Sequence, residues 1–287
     1  MIKAIILDVD GVIVGDKIGY NSPHPHPEVL QALKTVREKG VLIALCTAKP
    51  HYAISEIIEG AALHNPHIAD AGAVIIDPID SVIVEKHIIK KFLAQEVLEV
   101  CMQAKVYIEF YTVDDYFIQE SEASDITTKH THILQREPKD LQNIITESTE
   151  YEITKIMPIA LNEDDKKRVS KVLAQFEEKL SISWGVHPIA LPLQFGIVTA
   201  KGSSKKEGAE AIVKSLDISM SEVLGIGDST SDWKFISLCG YGATVANGSK
   251  ELKDLLKSKG EGKYYIADNS VDENGILQIF KNFFSEY

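Results

Sequence analysis

Two aspartates one residue apart, Asp8 and Asp10, follow an apolar run in KAIILDVDGVIVGD, residues 3–16. Two more, Asp228 and Asp232, stand four apart in GIGDSTSD. Burying charge at a strand end costs free energy unless a counter-charge or a metal is present. Carboxylates from two strand ends can share one hard divalent cation, and Mg²⁺ suits a site of few carboxylates that keeps waters and takes a substrate phosphate. An exposed aspartate can also attack an electrophile and become phosphorylated. A second carboxylate two residues away can protonate the leaving group and then activate water. Donors for the phosphoryl oxygens are on hand in Thr47 of CTAKP, the amides near it, and a lysine of AKGSSKKEG.

Each feature alone has an ordinary structural explanation. An aspartate before glycine is most often a turn or cap residue, and Thr47 by itself reads as a cap or turn hydroxyl. Lys201, Lys205 and Lys206 read as a solvated helix start, and Asp228 or Ser229 could cap the helix that follows. The four stretches together, in order and each at a strand end or helix start, favour chemistry.

The elements that must position them alternate. Ala4–Leu7 reads as a buried strand and Glu28–Lys39 as an amphipathic helix with Val29, Leu30, Leu33 and Val36 on one face. VLIALCTAKP is a second buried strand, residues 51–60 are helical and GAVIID is strand-like, which together predict a parallel sheet with crossover helices. From about 80 to 190 the strand candidates become longer and more polar: KVYIEFYTVDDYFIQ, YEITKIMPIAL and SISWGVHP. With helices near 90–103 and 164–180, this stretch predicts a sheet with helices on one face. After Pro192 the alternation returns, with helices over 205–216, 231–239, 249–258 and 274–284. Residues 1–80 and 190–287 thus form an α/β core, and 81–189 an inserted α+β domain. In open parallel sheets ligands sit at the carboxyl ends of strands. Asp8/Asp10, Thr47 and Asp228/Asp232 all fall there.

Composition bounds the partners. With 287 residues, 45% of them hydrophobic and 25% charged, the chain suits one large or two ordinary soluble domains. A net charge of -12 argues against nucleic acid, which needs a basic face. No run approaches the roughly 18 apolar residues of a membrane span, and no secretory signal is evident. Three cysteines, Cys46, Cys101 and Cys239, without metal-type spacing fit reduced thiols in a cytoplasm.

The four stretches resemble the four motifs of the haloacid dehalogenase (HAD) superfamily of phosphotransferases, and most closely its Cof-type capped branch. The resemblance implies a HAD-like Rossmannoid core, a parallel sheet with helices on both faces, with residues 81–189 as an α+β cap domain. LDVDG resembles the first motif, implying Asp8 as nucleophile and Asp10 as general acid/base. CTAKP resembles the second, implying that Thr47 and Ala48 contact the phosphoryl group. KGSSKKEG resembles the third if Lys205 is its lysine, flanked by Lys201 and Lys206. GIGDSTSD resembles the fourth, implying Asp228 as a Mg²⁺ ligand and Asp232 as a ligand or its outer support; the Asp8 side chain and the Asp10 carbonyl complete the metal site. Asn247 of VANG matches an asparagine that often lines the site in relatives; a plain turn residue is the alternative. The chain departs from the branch where TAK replaces TGR, where DAGA (70–73) replaces Asn-Gly-Ala, and where Lys206 follows Lys205.

The implied activity is Mg²⁺-dependent hydrolysis of a small phosphorylated metabolite, in this family a sugar phosphate, by a cytoplasmic monomer or homodimer. A phosphomutase of a sugar phosphate and a non-catalytic phospholigand-binding module are the alternatives. In the cap, Lys129, His130 and His132 of TTKHTHI could contact a sugar or second anion, although surface histidines on a strand are the simpler reading.

Overall fold

The computed structural model describes residues 1–79 and 82–284. Its strands are, in chain order, β1 (Ala4–Leu7), β2 (Leu42–Leu45), β3 (His67–Ala69), β4 (Val74–Asp77), β5 (Val82–Lys86), β6 (Tyr107–Tyr111) and β7 (Tyr116–Gln119). They continue with β8 (Lys139–Leu141), β9 (Lys155–Ala160), β10 (Leu180–Gly185), β11 (Gln194–Ala200), β12 (Val223–Ile226), β13 (Tyr241–Thr244) and β14 (Tyr264–Ile266).

The core sheet has the order β14-β13-β12-β1-β2, every pair parallel. Ile5 and Leu7 face one apolar cluster with Leu33 and Phe280, while Ala4 and Ile6 face another with Ile212 and Phe235. Both faces of β1 are therefore covered by helices, which is why its sequence runs apolar without alternation. Pro27–Glu38 and Ile276–Phe283 pack on the first side, and Lys205–Ser215 on the second.

GAVIID does not join that sheet. It forms β4, which pairs antiparallel with β3 and β5, and the group is attached to the core through a bridge from Cys46 to Ile68.

The inserted region is a six-stranded sheet, order β10-β11-β9-β6-β7-β8. KVYIEFYTVDDYFIQ folds as a hairpin, β6 and β7, around a turn at Thr112–Asp115. The predicted helix over 164–180 is shorter, Glu163–Leu173 with one tight turn to Phe176, because Leu180 already begins β10. That helix and Lys91–Gln103 cover one face, where Phe110, Ile156 and Val198 point. TTKHTHI is helical rather than extended: Asp125–Leu134 is closed by a capping box from Ser124. It lies on the opposite face with Tyr111, Met157 and Phe195, so helices are not confined to one side.

The return to the core also differs from expectation. β11 pairs with β10 and β9, so the cap sheet continues to Ala200 rather than ending near residue 189. The other edge of the insertion, placed at residues 80 and 81, lies outside the described residues. Cys46, Cys101 and Cys239 are free and buried. Among the described residues no helix is long and apolar enough to cross a membrane.

Candidate active site

Three neighbouring strands deliver the motif residues to one sheet edge. Leu7 at the end of β1 is in register with Ile226 of β12 and Leu45 of β2. The chain beyond each strand therefore emerges side by side: Asp8 and Asp10 from β1, Thr47 from β2, Asp228 from β12. A cavity of about 470 Å³ opens over these ends. Asp8, Asp10, Thr47, Ala48, Lys205 and Asp228 line its core side. Ser181, Ser183 and Trp184 of β10 form the cap side.

Asp8 is 6% exposed and faces Lys205, whose Nζ lies 2.8 Å from Oδ1. The same ammonium donates to Asp232 Oδ1 at 2.7 Å. Of the three candidate lysines, Lys205 is the one that reaches these carboxylates. Ser204, the N-cap of helix Lys205–Ser215, fixes the start of that helix and so the origin of the lysine side chain. Lys201 turns instead to the Glu177 carbonyl, 2.6 Å away.

Oxygens of Asp8, Asp228 and Asp232 come within 4.8 Å of one another. Asp232 is fully buried, and its Oδ2 accepts from the Asp228 and Ser229 amides and the Ser229 hydroxyl. It thereby holds the loop that carries Asp228 as well as Lys205. Gly11 leaves room for this cluster, since a Cβ there would lie 2.2 Å from Asp228 Oδ2.

The electrostatics follow the geometry. Burial, then the Asp232 charge, push Asp8 well above the usual carboxylate range, against the pull of Lys205. Burial and Asp232 likewise push Asp228 up to about 7. Asp10 behaves in the opposite way. Burial alone would raise it, but Lys49 and His187 hold it well below the usual carboxylate range. Lys49 Nζ lies 2.9 Å and His187 Nε2 3.1 Å from Asp10 Oδ1. Two carboxylates one residue apart thus occupy different electrostatic surroundings, Asp8 among other carboxylates and Asp10 between Lys49 and His187. Three carboxylates, Asp8, Asp228 and Asp232, face the ammonium of Lys205, and a divalent cation among them would offset the repulsion that pushes Asp8 and Asp228 up. The donors are hard oxygens, as Mg²⁺ requires.

Thr47 is 1% exposed, and its Oγ1 accepts from the Lys49 amide at 3.1 Å, which orders the turn after β2. Asn247 does not line the cavity. Its side chain donates to the Gly11 carbonyl at 2.8 Å and accepts from the Val271 amide at 2.7 Å, bracing the loop after Asp10. Of the cap residues considered, His130 is buried in its helix, with Nδ1 2.7 Å from Glu109 Oε2.

Two residues were not among the sequence candidates. Lys49 was visible only as the lysine of TAK, a departure from TGR. His187 had no motif at all, because it comes from the cap loop after β10. Asp70 of DAGA pairs with Lys155 of β9 at the same junction.

A parallel sheet with carboxylates at adjacent strand ends, a lysine from the next helix and an inserted cap define a capped phosphotransferase-type hydrolase. The chain belongs to the haloacid dehalogenase-like hydrolases, whose family model matches residues 5–279. Pyridoxal phosphate phosphatase YbhA of Escherichia coli (strain K12) is 23% identical over 276 residues, covering 94% of this chain and 95% of the relative. A haloacid dehalogenase-like hydrolase from Bacteroides thetaiotaomicron superposes with a TM-score of 0.79 at 17% identity, covering 99% of this chain and all of the other. The HAD subclass IIB sugar phosphatase BT4131 gives 0.78 at 20% identity, with 98% of each chain covered. The enzyme class is phosphatase.

Proposed function

We propose that this phosphatase hydrolyses a small phosphorylated metabolite, of the sugar phosphate kind, through a phosphorylated Asp8. The observation that carries the reading is the division of the site. Asp8 lies with Lys205, Asp228 and Asp232, whereas Asp10 lies with Lys49 and His187. Asp8 attacks phosphorus as the bond to the ester oxygen breaks, and Asp10, which the negative charge of the bound phosphoryl group raises from its low resting position, gives its proton to that oxygen. Water then attacks the aspartyl-phosphate, returning a proton to Asp10 and releasing phosphate and free Asp8. Thr47 and Lys205 hold the phosphoryl oxygens throughout.

Asp8, Asp228 and the Asp10 carbonyl would hold Mg²⁺, with Asp232 as third carboxylate or outer support. When bound, the ion supplies charge neutralisation at the transferring group. The substrate class draws support from the hydroxyls of Ser181 and Ser183 in the cavity wall and from the sugar phosphatase named above.

Asp8→Asn and chelation by EDTA should each abolish phosphate release from 4-nitrophenyl phosphate, and added Mg²⁺ should restore it only after chelation. Undiminished turnover by the purified variant would refute the assignment of Asp8.

A further inference from the structure

Asp10 is gripped from both domains at a single oxygen. Lys49 approaches Oδ1 from the core turn after β2, and His187 approaches it from the cap loop after β10. His187 is 5% exposed, yet its ring is not aligned for a hydrogen bond: neither ring nitrogen nor Asp10 Oδ1 has a well-directed partner. A buried polar group left so is destabilising. An apolar side chain of similar size would avoid that cost, so packing does not account for an imidazole here. Catalytic hydrogen bonds are often poorly aligned without substrate and tighten in the complex. The ring also borders a cavity of about 60 Å³ that Asp10 shares with Tyr111, His130 and Phe195 of the cap.

We infer that His187 is the positioning residue through which the cap completes the general acid. Its Nε2–H donates to Asp10 Oδ1 and aims the carboxyl at the departing ester oxygen. Lys49 stays with the core, so the contact that reports cap seating is the one from His187. Proton delivery is thereby tied to cap closure, the step that also excludes water. The inference rests on the phosphatase reading and on Asp10 as the proton carrier.

The consequence is a dependence on the leaving group. An alkoxide must be protonated to depart, whereas nitrophenolate departs without help. His187→Leu fills the space without a donor, and His187→Gln restores one near Nε2. The assay compares 4-nitrophenyl phosphate with the fastest-cleaved alkyl ester in a panel of triose and hexose phosphates. For His187→Leu, kcat/KM should fall more than about tenfold on the alkyl ester and less than about threefold on the aryl ester. That constant covers only the steps through phosphorylation of Asp8 and so omits the later work of Asp10 on water. His187→Gln should recover most of the alkyl kcat/KM.

Equal losses on the two esters would overturn the role of His187 and leave the phosphatase reading standing. So would a Gln variant no better than Leu, or a wild type that cleaves the aryl ester but no alkyl ester. Should the Leu variant fail to fold, the Gln variant decides alone by its alkyl-to-aryl ratio, which must stay near that of wild type. A wild type inactive on every ester would instead remove the phosphatase reading itself.

Discussion

Lys155 and Asp70 form a buried ion pair between the cap sheet and the core, Nζ 2.7 Å from Oδ1, with side chains 0% and 1% exposed. The pair is fully furnished. Lys155 also donates to the Ala48 carbonyl at 2.7 Å and lies 3.8 Å from the centre of the Tyr111 ring. The Thr154 hydroxyl donates to the other Asp70 oxygen at 3.1 Å. A buried charge stripped of its partner is strongly destabilising, whereas removing both charges is often tolerated. Lys155→Met should therefore lower stability by about 3–5 kcal/mol, and Asp70→Asn with Lys155→Met by less than half of that. Urea denaturation of both variants checks it; a double variant as weak as the single one would show that the pair is not coupled.

Gly72 ends the turn that carries Asp70. Its φ is +99°, and a Cβ would lie 2.1 Å from the Ser204 carbonyl oxygen, a backbone atom that cannot swing aside. Gly72→Ala should cost at least about 2 kcal/mol. Because Ser204 caps the helix that begins with Lys205, kcat should fall with it. Thermal melts and phosphate release on the same preparation test both halves; an alanine variant with wild-type stability and rate would contradict the contact.

His67 gives a pH signature away from the site. It is fully buried in β3, where Nδ1 accepts from the Leu45 amide at 3.1 Å, and burial pushes its imidazole down to about 3. Above about pH 6.5 neither folded nor unfolded chain protonates it, and its contribution is complete. As pH falls below 6.5 the unfolded chain takes up a proton that the folded chain refuses, so stability declines toward pH 3. His67→Asn keeps an acceptor but cannot titrate. The stability of wild type relative to that variant should drop by about 2 kcal/mol between pH 7 and pH 5. A difference that stays constant over this interval would show that His67 ionises in the folded state.

Much of the core was legible because its signals are local. β1 and β2 are buried on both faces and read as unbroken apolar runs, and each is followed within two residues by a polar side chain that lines the cavity. Asp8, Asp10, Thr47 and Asp228 could be placed together from the sequence, since parallel order puts strand ends on one edge, while Lys205 stood out only through its resemblance to the family's third motif. What failed to show was membership and facing. The β-rich pattern of Gln194–Ala200 does not say which sheet it joins, and pairing with β9 and β10 is a long-range choice. TTKHTHI looks like a polar alternation, but Ile126, His130, Ile133 and Leu134 recur at helical spacing under a Ser124 cap. His187 was invisible because a single histidine in a cap loop carries no periodicity, and its value depends on a partner 177 positions earlier.

The path of β11 also bears on how such enzymes can be recombined. Only residues 201–204 separate the end of this cap strand from Lys205. A graft cut at residue 190 would strand one of six β-strands in the recipient and break its ladders to β9 and β10. The exchangeable cassette instead runs through Ala200, and its downstream seam abuts the helix that begins with Lys205. The six-stranded sheet can therefore be exchanged intact only with a donor that reproduces that four-residue junction.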